Sequence, residues 1–257
     1  MTTLGHRQIG GGAEAVIVLH EWLGDHSNYE PVLRYLNQRD YTWILADLRG
    51  YGLSRELAGE LTCAEAAADV LALADHRGLA RFHLLGHSMS AMVAQRVAAD
   101  AESRVGTLIA VAPVPAAGVR PPPATLAAMR ALIRDDAVAC DAIDQRTGRR
   151  YHRAWLEAKL ALARNAASAA VQEAYLAMFT GTDFSAAMAG VDVPVRIIVG
   201  EHDLPMYREK PVRTAFAAWC RDLEIVTCRE SGHYPMLECP VFFAAAVDRF
   251  LAQGRRL

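Results

Sequence analysis

The chain has 257 residues, 53% of them hydrophobic, and a formal net charge of −2. That length suits one large domain with an ample core, the charge argues against nucleic acid as a partner, and no apolar run reaches the roughly 18 residues that cross a bilayer. The N-terminal Met1-Thr2-Thr3-Leu4-Gly5-His6-Arg7 lacks a signal-peptide core, and Cys63, Cys140, Cys220, Cys228 and Cys239 show no short paired spacing, so neither disulfides nor a zinc site is expected and a reducing cytoplasm is the expected compartment.

Apolar, strand-like runs occupy residues 16–19, 43–46, 82–85, 105–111, 195–199 and 223–227, and between them lie helical stretches at 63–77, 89–99, 210–220 and 240–251. This alternation predicts an α/β fold, a mainly parallel, doubly wound sheet with helices on both faces. One stretch breaks the alternation. From 115 to 190 no strand pattern occurs; the segment opens with Pro121-Pro122-Pro123 and continues as alanine-rich helical sequence. It reads as a helical cap, 115–190, inserted into a core domain made of 1–114 and 191–257.

The segment Phe82-His83-Leu84-Leu85-Gly86-His87-Ser88-Met89-Ser90 places a serine between an apolar run and a helix-forming run, with small residues two positions to either side. A strand that turns at once into a helix forces the turn residue to positive φ, and its flanks must be small so that backbone can approach. Ser88 is the candidate nucleophile, held over a helix N-terminus whose free N–H groups suit an oxyanion. The second small position holds Ser90 where glycine is usual.

Further along, Val195-Arg196-Ile197-Ile198-Val199-Gly200-Glu201-His202-Asp203 reads as a buried strand delivering a carboxylate at its C-terminal end, with Asp203 the candidate acid and Glu201 and Asp192 the fallbacks. Ser231-Gly232-His233-Tyr234-Pro235 offers His233 as candidate base in a loop before a helix. The order Ser, acid, His suits an acid loop and a base loop on neighbouring strand ends.

With these pieces the chain resembles the α/β-hydrolase fold family over nearly its whole length. Val16-Ile17-Val18-Leu19-His20-Glu21-Trp22-Leu23-Gly24 resembles the family's oxyanion loop, and Asp47-Leu48-Arg49-Gly50-Tyr51-Gly52-Leu53-Ser54 resembles its Asp-x-Arg-Gly-x-Gly-x-Ser segment. The resemblance implies backbone N–H donors from Trp22 and Met89 for an oxyanion, structural roles for Asp47 and Arg49, and an anchoring role for His20. It also implies a cap over the strand ends, whose bulky residues Met129, Tyr151, Trp155, Met178, Phe179 and Met188 are candidates for a substrate pocket, with His20 and His87 beside them. Some members carry the acid after the strand that precedes the cap, but Ala112-Pro113-Val114-Pro115 holds no carboxylate. Glu21 departs from the family pattern, since a carboxylate near a developing oxyanion is unfavourable unless it points away or is paired.

The expected activity is a serine hydrolase of a small or medium ester or lactone, through an acyl-enzyme, with no cofactor and no metal called for and a small molecule as partner. A C–C bond hydrolase would use the same parts. A cofactor-independent oxygenase or lyase is a further reading, to which Trp22, Asp25-His26 and His87-Ser88 give a faint resemblance. A non-catalytic ligand receptor is the last.

Overall fold

The computed structural model describes residues 3–254. Its centre is a seven-stranded sheet of β1 (His6–Gly10), β2 (Glu14–Leu19), β3 (Tyr41–Ala46), β4 (Phe82–His87), β5 (Val105–Val111), β6 (Val195–Gly200) and β7 (Leu223–Cys228), in the order β1-β3-β2-β4-β5-β6-β7. All neighbours pair in parallel except β1 with β3. Every residue of β4, β5 and β6 is buried, as strands covered on both faces require.

The two faces feed two apolar clusters, because side chains alternate along each strand. Ile17, Leu19, Leu84, Leu108 and Ile197 point into one cluster, which α1 (Cys63–His76), α2 (Met89–Asp100) and α7 (Glu209–Ala217) cover. Val16, Val18, Leu85, Ile109 and Ile198 point into the other, which is closed by Phe243, Val247 and Phe250 of α9 (Pro240–Gly254) and by Tyr29 and Val32 of a 3-10 segment at His26–Tyr35.

Between β5 and β6 the chain forms α3 (Pro123–Arg134), α4 (Asp136–Arg146), α5 (Arg153–Ala166) and α6 (Ala169–Gly181). These inserted helices are tied to the core: the Tyr175 hydroxyl donates to the Arg49 carbonyl at 3.1 Å, and Tyr51 forms an isolated bridge with Ala167. A short helix, α8 (Pro235–Glu238), precedes α9. No helix among the described residues is long and apolar enough to cross a membrane.

One strand lies outside the pattern expected from sequence. β1 carries a single large apolar residue, Ile9, in His-Arg-Gln-Ile-Gly, and is half exposed at the sheet edge, so no burial pattern marks it.

The connections fix where a site can form. After β2 the chain moves to β3 on one side, and after β4 to β5 on the other, so the winding reverses between the adjacent strands β2 and β4. A crevice opens at the carboxyl ends of such a pair. The loop from His20 follows β2, and Ser88 follows β4.

Candidate active site

Ser88 sits at φ 53° and ψ −112° between the end of β4 and the first residue of α2. A non-glycine residue held there stores about 1–3 kcal/mol of strain, which the surrounding bonds must hold. Its N–H donates to Val111 at 2.8 Å and its carbonyl accepts from Val114 at 3.0 Å, locking the turn to the end of β5. At Gly86 an added Cβ would lie 2.6 Å from the Ser90 carbonyl oxygen and 2.8 Å from the Ala91 backbone. Glycine is therefore required at that position, whereas Ser90 fits without cost: its hydroxyl accepts from the His87 N–H at 3.0 Å and donates to the His87 carbonyl at 3.1 Å.

Three loops converge on this turn. The Ser88 hydroxyl donates to His233 Nε2 at 3.0 Å, and His233 Nδ1 donates to Asp203 Oδ2 at 2.6 Å. The other carboxylate oxygen of Asp203 accepts from the Leu204 N–H at 2.6 Å. Asp203 is fully buried, His233 is 2% exposed and Ser88 is 7% exposed. Glu201 is exposed on the same loop, and Asp192 is exposed ahead of β6, at the opposite end of that strand.

The loop that carries His233 is held from several directions. Its N–H donates to the Arg146 carbonyl at the end of α4 at 2.9 Å, and its carbonyl accepts from His87 Nε2 at 2.8 Å. Glu238 accepts from the N–H groups of Gly232 at 2.8 Å and Tyr234 at 2.9 Å. The approach to α4 is so close that a Cβ on Gly232 would lie 2.0 Å from the Arg146 oxygen. The Tyr207 ring meets the His233 ring edge-on, with centroids 4.8 Å apart.

His87 is fully buried, and burial first, then the neighbouring His233, pushes its imidazole down to about 3. It is thus neutral, with Nε2 protonated toward His233 and Nδ1 lacking a partner among the described residues. Glu21 behaves in the opposite way. Burial, the largest single effect, would raise its carboxyl, but the Lys159 ammonium 2.8 Å away, with His87 and the Leu23 N–H, together bring it down to about 2. The carboxylate that looked unfavourable beside an oxyanion is therefore paired.

His20 is a loop anchor. The Leu48 N–H donates to its Nε2 at 3.0 Å, which leaves Nδ1 to donate to the Glu21 carbonyl at 2.8 Å. Asp25 caps the turn at Ser27, and His26 donates to Asp47 through both its N–H and Nδ1, each at 2.7 Å, so this pair is structural. Arg49 makes a two-pronged contact with Asp69 at 2.9 and 2.6 Å. Among the described residues no cluster of His, Cys, Asp and Glu is placed to hold a metal ion.

A cleft of about 680 Å³ opens beside these loops, bounded by Pro113, Pro115, Leu204, Tyr207, Leu132 and Arg146. Ser88, His233 and Asp203 do not line it; Tyr207, which does, packs on the His233 ring, and Pro113 and Pro115 flank Val114, whose N–H donates to the Ser88 carbonyl. Of the bulky inserted residues singled out above, Met129 borders it; Tyr151, Trp155, Met178 and Phe179 do not, and neither do His20 and His87. Tyr151 and Trp155 stack on each other at 4.5 Å, Phe179 packs edge-on against Trp22 at 5.5 Å, and Met178 and Met188 are core residues.

The alpha/beta hydrolase family model matches residues 16–246, a stretch that runs from β2 into α9 and contains every residue of the hydrogen-bonded chain. The chain belongs to that family. Among curated proteins it is similar to a dihydrolipoyllysine-residue acetyltransferase component of an acetoin cleaving system from Cupriavidus necator, 38% identical over 105 residues, covering 41% of this chain and 28% of that protein. It is also similar to a pimeloyl-[acyl-carrier protein] methyl ester esterase from Vibrio parahaemolyticus, 35% identical over 115 residues, covering 45% of this chain and 43% of that one. The chain thus matches less than half the length of either relative. Among solved structures, an esterase from Exiguobacterium antarcticum superimposes with a TM-score of 0.83 at 20% identity, covering 98% of this chain and all of that one, which establishes a shared fold.

Sequence reasoning passed over Lys159 and Glu238. The signal for Lys159 was a lone cation four residues after Trp155 and one before Leu160 on an otherwise apolar helix face, in a chain whose oxyanion-like loop holds an unexpected acid.

Proposed function

We propose that the protein is a serine hydrolase of a small or medium ester or lactone. The observation that carries this reading is the continuous hydrogen-bonded chain from Ser88 through His233 to Asp203. In this reading His233, oriented by Asp203, takes the Ser88 proton as the oxygen attacks a carbonyl carbon. The N–H groups of Trp22 and Met89, for which no acceptor occurs among the described residues, receive the oxyanion. Collapse expels the leaving group, protonated by His233, and leaves an acyl-enzyme. Water deprotonated by the same imidazole then releases the acid.

The cleft serves in this scheme as the chamber for the apolar part of a small-molecule substrate, with the inserted helices as its cap. The relative named for a methyl ester supports ester chemistry for this chain. Free thiols at all five cysteines support a reducing, cytoplasmic setting.

The test is labelling with a fluorophosphonate, followed by turnover of activated esters of increasing acyl length. Wild type is expected to label once, at Ser88, and Ser88→Ala is expected to fold, to escape labelling and to lose turnover to below about one per cent. Turnover retained in Ser88→Ala would overturn the reading.

A further inference from the structure

Lys159 lies on α5, in the inserted segment, with its side chain 1% exposed. Its ammonium donates to Glu21 Oε1 at 2.8 Å and to the Leu23 carbonyl at 2.6 Å, and it stands 4.9 Å above the Tyr234 ring. Glu21 Oε2 in turn accepts from the Leu23 N–H at 2.5 Å. One cation of the insertion and one anion of the core thus grip the same turn, Glu21-Trp22-Leu23, from both ends.

Trp22, between them, is held as well. Its carbonyl accepts from the Tyr51 hydroxyl at 2.9 Å, and its indole N–H donates to the Gln172 carbonyl of α6 at 2.8 Å. The Glu21 carbonyl accepts from His20. Across this turn the Leu23 N–H is taken by Glu21, while the backbone N–H groups of Glu21 and Trp22 have no acceptor among the described residues. A donor that stabilises developing charge works only when it is already aimed, because reorienting it during the reaction would cost the stabilisation it provides.

A buried ion pair is a poor device for stability alone, since apolar residues of similar shape often serve as well, and the desolvation of both ions offsets their attraction. Its place across the seam between insertion and core suits it to another role. We propose that Lys159 is a positioning residue: through Glu21 and the Leu23 carbonyl it orients the Trp22 N–H toward the oxyanion, so that this donor is set only when the inserted helices are docked. The inference rests on Ser88 being the nucleophile.

The experiment compares wild type with the near-isosteric double variant Glu21→Gln/Lys159→Met, which removes both charges without leaving either ion unpaired. Thermal unfolding, kcat and KM for a short neutral activated ester, and the rate of fluorophosphonate labelling at Ser88 are measured on the intact chain. The expected result is a midpoint close to wild type, an unchanged KM, and falls of roughly 10²-fold in both kcat and labelling rate, the size of a lost oxyanion donor. A purely stapling role would leave kcat intact once the midpoint is restored. A folded double variant with kcat and labelling within about threefold of wild type overturns the inference.

Should that variant not fold, Glu21→Gln alone decides. Its single amide oxygen serves either Lys159 or the Leu23 N–H but not both, and a fall of about tenfold in kcat at constant KM is expected, whereas unchanged kcat overturns the proposal. Failure of wild type to label at Ser88 would instead sink the underlying reading, and is scored separately.

Discussion

The imidazole of His87 donates to the carbonyl of His233 at 2.8 Å, so the residue before the candidate nucleophile holds the backbone of the residue that would activate it. Their rings lie 5.2 Å apart, and two imidazolium ions at that distance in a dry interior would repel.

This arrangement makes the fold sensitive to acid. Burial depresses His87 to about 3 from an ordinary 6.5, so the folded protein excludes a proton that the unfolded chain binds. The stability it contributes is present above pH 6.5 and is lost as pH falls toward 3, with a slope approaching ~1.4 kcal/mol per pH unit. Urea unfolding between pH 7 and 4 checks this: His87→Gln, which keeps a donor but does not titrate, should flatten the slope by nearly one proton. An equal slope in both proteins would contradict the account.

Asp203→Asn should lower kcat on the order of 10³-fold or more, because an amide facing Nδ1 can leave the imidazole in the wrong tautomer. Glu201→Gln, at an exposed position on the same loop, should stay within a few-fold of wild type. The opposite ranking in steady-state kinetics would move the acid to Glu201.

Gly86→Ala should damage both fold and rate. The new Cβ meets backbone at 2.6 and 2.8 Å, so the turn must open, at a cost of about 2 kcal/mol or more. Ser90→Gly removes the two hydrogen bonds to His87 but adds no clash, so about 1–2 kcal/mol of stability should be lost while labelling of Ser88 persists. Paired denaturation and labelling curves separate the two effects.

Glu238→Ala should free the Gly232 and Tyr234 N–H groups that flank His233. Hydrogen exchange at these amides should accelerate and kcat should fall about tenfold, since the base would no longer be held in place. Exchange unchanged at 232 and 234 would show that Arg146 and His87 fix the loop without Glu238.

What was legible from sequence was whatever local sterics dictate. The alternation of buried strands and helices announced the parallel sheet, and the small residues around Ser88 announced a tight strand-to-helix turn, because both depend on neighbours in the chain. What was not legible depends on partners far away. β1 is defined by pairing with β3 rather than by its own pattern. Glu21 looked anomalous until its partner 138 residues away was visible, and Lys159 was passed over because that partner lies far outside its own helix. The choice between Asp203 and Glu201 turned on how a few residues after β6 coil, which strand periodicity does not encode. The bulky residues of the insertion were recognisable as candidates for a pocket, but which of them faced a cleft depended on helix orientation, and α3 and α4 rather than α5 and α6 form the cleft's outer wall.

The hydrogen bond from the His233 N–H to the Arg146 carbonyl has a consequence for engineering. Enzymes with inserted lids invite transplantation, in which one lid is exchanged for another to alter substrate range. Here the last residue of α4 is part of the scaffold beneath the histidine loop, and Gly232 is shaped to its carbonyl. A graft that replaced residues 115–190 wholesale would therefore displace the imidazole before it offered any new chamber. Recombination points are better placed inside α3, upstream of the backbone contact, so that the end of α4 and Lys159 travel with the core they brace.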